Sequence, residues 1–230
     1  MKHVKILSAL SLLAVAGAAN AEVEVSGSMG IASTYLWRGI DLGSGTPAVS
    51  GDLHASAMGF YGGVWGSSGD TVSGTEYDLY AGYGGSVDKF TYDISYWTYV
   101  YPTGAVAEDL GTPGKLSEGI VSLGYGPVSV FYNKNIATPG DGDGDYSYYG
   151  IKGKLGAFTA VLAQHNPGVS GSDKMTHLDL SYAYNDNLSF TISKQISDKG
   201  GNAPYFVTDA NGKPVDKLKL VASYSVPFGK

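Results

Sequence analysis

Apolar and polar side chains alternate along most of this chain with a period of two. Between residues 23 and 38 one parity reads Val23, Val25, Gly27, Met29, Ile31, Ser33, Tyr35, Trp37. The other reads Glu24, Ser26, Ser28, Gly30, Ala32, Thr34, Leu36, Arg38. Successive side chains of a strand point to opposite faces, so the pattern predicts a strand with one apolar and one polar side. It recurs where Val49, Leu53 and Ala55 oppose Asp52 and His54. Tyr77, Leu79 and Ala81 oppose Glu76, Asp78 and Tyr80, and Phe90, Tyr92 and Ile94 oppose Thr91 and Asp93. Further along, Val121 and Leu123 oppose Glu118 and Ser122, and Leu178 and Leu180 oppose His177 and Asp179. Near the end, Leu188, Phe190 and Ile192 oppose Ser189, Thr191 and Ser193, and Leu218, Leu220 and Tyr224 oppose Lys217, Lys219 and Ser223. Segments 60–67, 128–135, 146–155 and 158–164 are also strand-like, with less distinct faces.

These segments add up to twelve strands, and the connections between them strictly alternate in length. Short ones rich in Gly, Pro, Asn and Asp fall at 58–59, 85–88, 126–127, 156–157 and 185–187. Long polar ones fall at 39–46, 68–75, 102–115, 136–145, 166–174 and 198–216. A water-soluble sandwich has no reason for that asymmetry, whereas a membrane barrel has tight periplasmic turns and long external loops. The expected fold is therefore all-β: a transmembrane antiparallel up-and-down β-barrel of twelve strands, closed by pairing of its first and last strands. Two aromatic belts are expected, with Tyr35, Trp37, Tyr77 and Tyr96 at the long-loop ends and Tyr83, Phe90, Tyr125, Phe158, Tyr184 and Phe228 at the turn ends.

Composition narrows the setting. Of 230 residues, 16% are charged and 34 are Gly, with 18 Tyr and a net charge of −6. A negative chain of this kind is not expected to bind nucleic acid. It has no Cys, which excludes disulfide scaffolds, thiolate metal sites and thiol catalysis. Lys2, His3 and Lys5 precede an apolar run at 6–18 and the small-residue site Ala19-Asn20-Ala21. This is the signature of a secretory signal peptide. Residues 1–21 are thus expected to direct export through the periplasm, and residues 22–230 to form the barrel in the outer membrane of a Gram-negative cell, with outer-membrane lipid around it. Tyr224, Val226 and Phe228 share one face and resemble the C-terminal aromatic signal of outer-membrane barrels.

The stretch Ser33-Thr34-Tyr35-Leu36-Trp37-Arg38-Gly39-Ile40 resembles the opening signature of the TorF family, proteobacterial proteins of porin type. Similarity continues through Pro47 to Gly51, Gly59 to Trp65, Glu76 to Tyr83 and Phe90 to Pro102, and thins afterwards. Trp37 stands where that family usually has Phe or Tyr. The resemblance implies an outer-membrane barrel with a channel role; it implies no catalytic residue, cofactor or defined substrate.

The polar faces supply the candidate pore-lining set: Glu24, Asp52, Glu76, Asp78, Asp93, Glu118 and Asp179, with Arg38, Lys217 and Lys219, and with His54 and His177. Seven carboxylates against three fixed cations would bias a lumen weakly toward cations. The competing expectation is that these charges pair across strands and fill the lumen. Counting from the connections puts Asp78 and Asp93 at similar depth. Arg38 is either a fixed cation at a constriction or, preferably, the partner of an acid on the second or twelfth strand or of a lipid phosphate. Asp141, Asp143 and Asp145 begin like a calcium loop, but Tyr146 and Lys152 stand where an EF-hand needs Gly and Glu, so no metal site is expected. His177 beside Asp179 could form a base with its orienting acid, yet no nucleophile stands out and no catalysis is expected. The functional expectation is passive diffusion of small polar solutes. A closed structural or adhesion barrel acting through its loops, including Tyr205-Phe206-Val207 in the longest one, is the main alternative, and an outer-membrane hydrolase the lesser one. Neither the solute nor the oligomeric state is legible at this level.

Overall fold

The computed structural model describes residues 22–71, 73–138, 145–168, 171–196 and 218–229. The expected signal peptide at 1–21, Asp141 and Asp143, Lys217 and the long connection 198–216 lie outside the described residues.

Twelve antiparallel strands form one closed barrel. They are β1 (Glu24–Ala32), β4 (Ala48–Ala57), β5 (Phe60–Asp70), β6 (Gly74–Val87), β7 (Phe90–Val100), β8 (Leu116–Tyr125), β9 (Val128–Ala137), β10 (Ser147–Leu155), β11 (Phe158–Asn166), β12 (Met175–Ala183), β13 (Leu188–Gln195) and β14 (Lys219–Gly229). Each pairs with its sequence neighbour in the wall, and β1 pairs with β14 from Ser26↔Gly229 to Ala32↔Ser223. The sheet therefore has no free edge, which is the condition for a sheet to sit in lipid. Its strands run from 8 to 14 residues, around the ~9–11 that a tilted strand needs to cross the hydrocarbon.

Inside and outside are inverted relative to a soluble protein. Outward Met29, Leu155 and Leu220 are 64%, 82% and 67% exposed, while inward Glu76, Glu118 and His177 are 2%, 2% and 0% exposed. The alternation resolves the less distinct segments too. Phe60 points out and Tyr61 in, and on β10 the inward parity is Tyr148, Lys152 and Lys154. Outward aromatics ring the turn end, with Phe60 packed on Tyr83 at 4.7 Å and Phe158 on Tyr182 at 5.0 Å between centroids.

The connections keep the expected asymmetry except between β5 and β6, where the long connection expected at 68–75 is reduced to residues 71–73, fewer than the four between β12 and β13. The turn between β6 and β7 shrinks to Asp88 and Lys89, and β5 and β6 extend upward until little separates Asp70 from Gly74. A short helix, α1 (Ala107–Leu110), lies between β7 and β8.

The first strand departs from expectation. The alternation through Arg38 predicts a strand continuing to that residue, but β1 stops at Ala32. The chain then bends inward and forms a small hairpin, β2 (Leu36–Trp37) and β3 (Ile40–Asp41), separate from the wall. Leu36 pairs with Asp41 and Trp37 with Ile40 around Arg38 and Gly39, whose φ values are 48° and 79°. Two positive φ values in a two-residue loop match the type I′ turn that joins tightly twisted strands, and glycine meets the second without steric cost. The period-two pattern persisted through 33–38 because β2 is itself extended. Tyr35 and Trp37 consequently face the lumen and are not part of an outer aromatic belt.

Candidate functional site in the barrel lumen

The hairpin tip is held from several walls. Arg38 Nη1 donates to Glu118 Oε1 at 2.9 Å and Nη2 to Oε2 at 2.6 Å, a two-pronged pair. Planar guanidinium and carboxylate groups match in this geometry, and charge-assisted bonds of this kind are the strong ones. Nη1 also reaches the Tyr146 hydroxyl at 3.3 Å, and the guanidinium carbon lies 4.5 Å from the Trp37 ring and 4.6 Å from the Tyr148 ring. Burial disfavours the charge, but the Glu118 carboxylate outweighs that and holds the Arg38 pKa well above its ordinary value. Glu118 sits just after a register shift in β8, and the Tyr99 hydroxyl donates to its Oε2 at 2.8 Å. The backbone carbonyl of Arg38 accepts from His165 Nε2 at 2.8 Å, while His165 Nδ1 lies 2.8 Å from the Tyr146 hydroxyl.

Behind Gly39 lies the ring of His177; a Cβ on residue 39 would collide with it. The His177 ring is stacked on Tyr148, with its Nδ1 3.0 Å from Asp179 Oδ1 and its Nε2 3.0 Å from the Tyr148 hydroxyl. His177 and Asp179 thus do meet side by side, as their spacing suggested, and the third member is a tyrosine. On the other side of the hairpin, Glu76 accepts from Tyr35 and Tyr101 hydroxyls, each at 2.7 Å. Burial first, and then the Glu76 charge, push both tyrosines far above their ordinary pKa, so both stay protonated donors.

All the described residues of the sequence-derived set face inward, but they do not form one ring. Glu76, Asp78, Glu118 and Lys219 lie in the half toward the long connections, with Arg38 and His177 around the hairpin. Glu24, Asp52, His54 and Asp93 lie in the half toward the tight turns. Arg38 pairs with Glu118 and not with an acid of the second or twelfth barrel strand. Asp78 and Asp93 are not level: Asp78 pairs with Tyr99, while Asp93 pairs with Gly84, six residues further along β6. The depth count went wrong because β6 continues past Gly84 to Val87. Three of the acids, Glu76, Asp52 and Asp93, are met by tyrosines rather than by cations. The Tyr80 hydroxyl donates to Asp52 at 2.8 Å and that of Tyr61 to Asp93 at 2.7 Å. Asp78 Oδ1 is buried with no hydrogen-bond partner among the described residues.

Toward the tight turns the lumen opens. One cavity of about 500 Å³ is lined by Glu22, Glu24, His54, Tyr61 and Asp93. A second, of about 400 Å³, is lined by Thr91, Ser129, Lys152 and Lys154. The two lysines are absent from the sequence-derived set. Tyrosines of both parities at 148 and 149, with Gly150 and Gly153, blur that segment's faces; counting parity from the turn at 156–157 would have exposed them. Among the described residues no group of three or more His, Asp or Glu is placed to hold a metal ion.

A closed barrel with a lipid-type exterior, a polar interior and one hairpin folded into its bore defines a membrane-barrel class. Within it the chain belongs to a bacterial family of unknown function, Gcw_chp, which matches residues 16–219. None of the curated proteins matches the chain. Among solved structures, OccAB3 of Acinetobacter baumannii is similar at 12% identity with a TM-score of 0.37, over 90% of this chain; the alignment spans 65% of that chain.

Proposed function

We propose that the chain is an outer-membrane channel through which small polar solutes diffuse passively, narrowed at its loop end by the β2–β3 hairpin and weakly biased toward cations. The observation carrying this reading is the pairing of an apolar exterior with a polar bore that widens into cavities toward the tight turns. Polar interiors behind lipid-facing strands are what water-filled barrels have. The likeness of residues 33–40 to the TorF family supports the same assignment, and the signal-type segment at 1–21 supports export to the outer membrane. The carboxylates Glu24, Asp52 and Asp93 at the wide end supply the cation bias, tempered by Lys152 and Lys154. No catalytic role is assigned to any residue.

One observation favours a closed structural barrel instead: the hairpin is packed, with the Arg38 and Glu118 side chains only 12% and 3% exposed. Single-channel recording of the refolded protein in planar bilayers separates the two. Discrete conductance steps with a reversal potential on the cation side support the channel. A silent bilayer containing inserted, heat-modifiable protein overturns it.

A further inference from the structure

The wide end of the lumen has its charges segregated. Counting from the tight turns, Asp93 is four residues beyond Lys89, His54 four before Met58, and Lys152 four before Gly156; these positions are level. Glu24 pairs with Ser56 one step nearer the turns, level with Lys154, and Asp52 stands one step higher than His54. The acids therefore occupy β1, β4 and β7, and the lysines occupy β10. In the order of the closed sheet, β4 and β10 are six strands apart, half of a twelve-stranded circumference, so Asp52 and the lysines stand on opposite walls. Asp179 on β12, two strands from β10, is the acid on the lysine side; it lies against His177 at 3.0 Å and weakens the field there without matching the two lysines. Strands ~4.8 Å apart and tilted by roughly 40° give a bore of about 24 Å between backbones. After side chains that leaves roughly 15 Å, comparable to the Debye length of ~10 Å at 0.1 M salt.

We propose that this arrangement imposes an electric field across the bore, perpendicular to the path, and that the site prefers zwitterionic solutes: small molecules with an ammonium and a carboxylate a few ångströms apart. The ammonium turns toward Glu24 and Asp52, five and six strands from β10, with Asp93 a quarter-turn away on β7, and the carboxylate turns toward Lys152 and Lys154. A net charge of either sign gains on one wall and loses on the other, whereas a zwitterion gains on both. This rests on the channel reading and adds the solute class to it.

The test is solute-driven swelling of proteoliposomes at low ionic strength, comparing γ-aminobutyrate with uncharged erythritol. In the wild type the zwitterion should enter roughly sevenfold faster, the gain expected when each end of the solute meets an opposite charge at ~7 Å in water. Lys152→Gln with Lys154→Gln should cut that ratio to roughly threefold, the ammonium's share alone, while raising the entry of choline. Lys152→Arg with Lys154→Arg should keep the wild-type ratio. If erythritol does not enter wild-type vesicles, the channel reading fails and this inference with it. If erythritol enters and γ-aminobutyrate is no faster, or if the glutamine pair raises γ-aminobutyrate along with choline, the transverse field is overturned and the channel reading stands.

Discussion

Arg38 brings a full positive charge into the bore and leaves little of it to water. Removing one partner of a buried ion pair strands the other, at a cost of about 3–5 kcal/mol. Arg38→Ala is therefore expected to lower the temperature at which the detergent-folded barrel loses its compact electrophoretic form. It should also enlarge the conductance, because the hairpin loses its hold on β8. Glu118→Gln should do less of both, since the Tyr99 hydroxyl and the guanidinium still find an amide oxygen. A smaller pore in Arg38→Ala would mean that the hairpin is not what narrows it. Asp93 and Asp78 divide differently. Asp93 faces the open cavity, whereas Asp78 is 4% exposed beside Tyr99 and Glu118. Asp93→Asn should shift the reversal potential away from cations, and Asp78→Asn should leave it unmoved; the opposite ranking would place the permeation path behind the hairpin. Little of this residue-level detail was legible beforehand. The polar parity of each strand named the inward acids. Which donor each acid meets depends on pairings such as Arg38 with Glu118, 80 residues apart, which a local pattern does not encode.

At the level of elements, the alternation carried most of the information and failed where an extended segment leaves the wall. A strand inside the bore and a strand in the wall share the same backbone period, so 33–38 read as a continuation of β1. The Arg38-Gly39 pair was the available sign of a turn. Gly39→Val tests the hairpin directly, because a β-branched residue at φ 79° is strained and its side chain would press on His177. The variant should insert normally, since the wall is untouched, and should show the enlarged conductance expected of Arg38→Ala. Unchanged conductance in an assembled barrel would show that the tip tolerates displacement. The two faces of the wall make a second contrast. Leu180 is half-exposed on the outside, while Ser181 points inward and shares a 2.8 Å hydrogen bond with Thr191. An arginine on the lipid face near the midplane costs about 2–4 kcal/mol, so Leu180→Arg should reduce the folded yield in vesicles well below that of Ser181→Arg. Equal yields would mean that the exterior is not facing lipid.

Across the whole molecule, an even number of strands brings both ends of the barrel wall to the rim that carries the tight turns, and puts every long connection on the other rim. Here β1 begins at Glu24 and β14 finishes at Gly229, beside the turns at 58–59 and 185–187. Membrane barrels place short turns on the periplasmic side and longer loops outside, so the hairpin should plug the outer mouth and the charge-segregated cavities should open inward. The absence of native Cys makes this orientation measurable with single thiols. Lys115, in the connection before β8, and Asp186, in the turn before β13, are both exposed. Neither is part of the hairpin or the inward acid set. The turn around Asp186 is held by Asn185 Oδ1, which accepts from the backbone amides of Asn187 and Leu188, so replacing Asp186 spares its frame. Lys115→Cys should react with a membrane-impermeant maleimide on intact cells, and Asp186→Cys only after the outer membrane is permeabilised. The reverse order would turn the barrel over and place the hairpin at the periplasmic mouth. Reaction of both thiols on intact cells would contradict a spanning barrel, because its two rims must face different compartments.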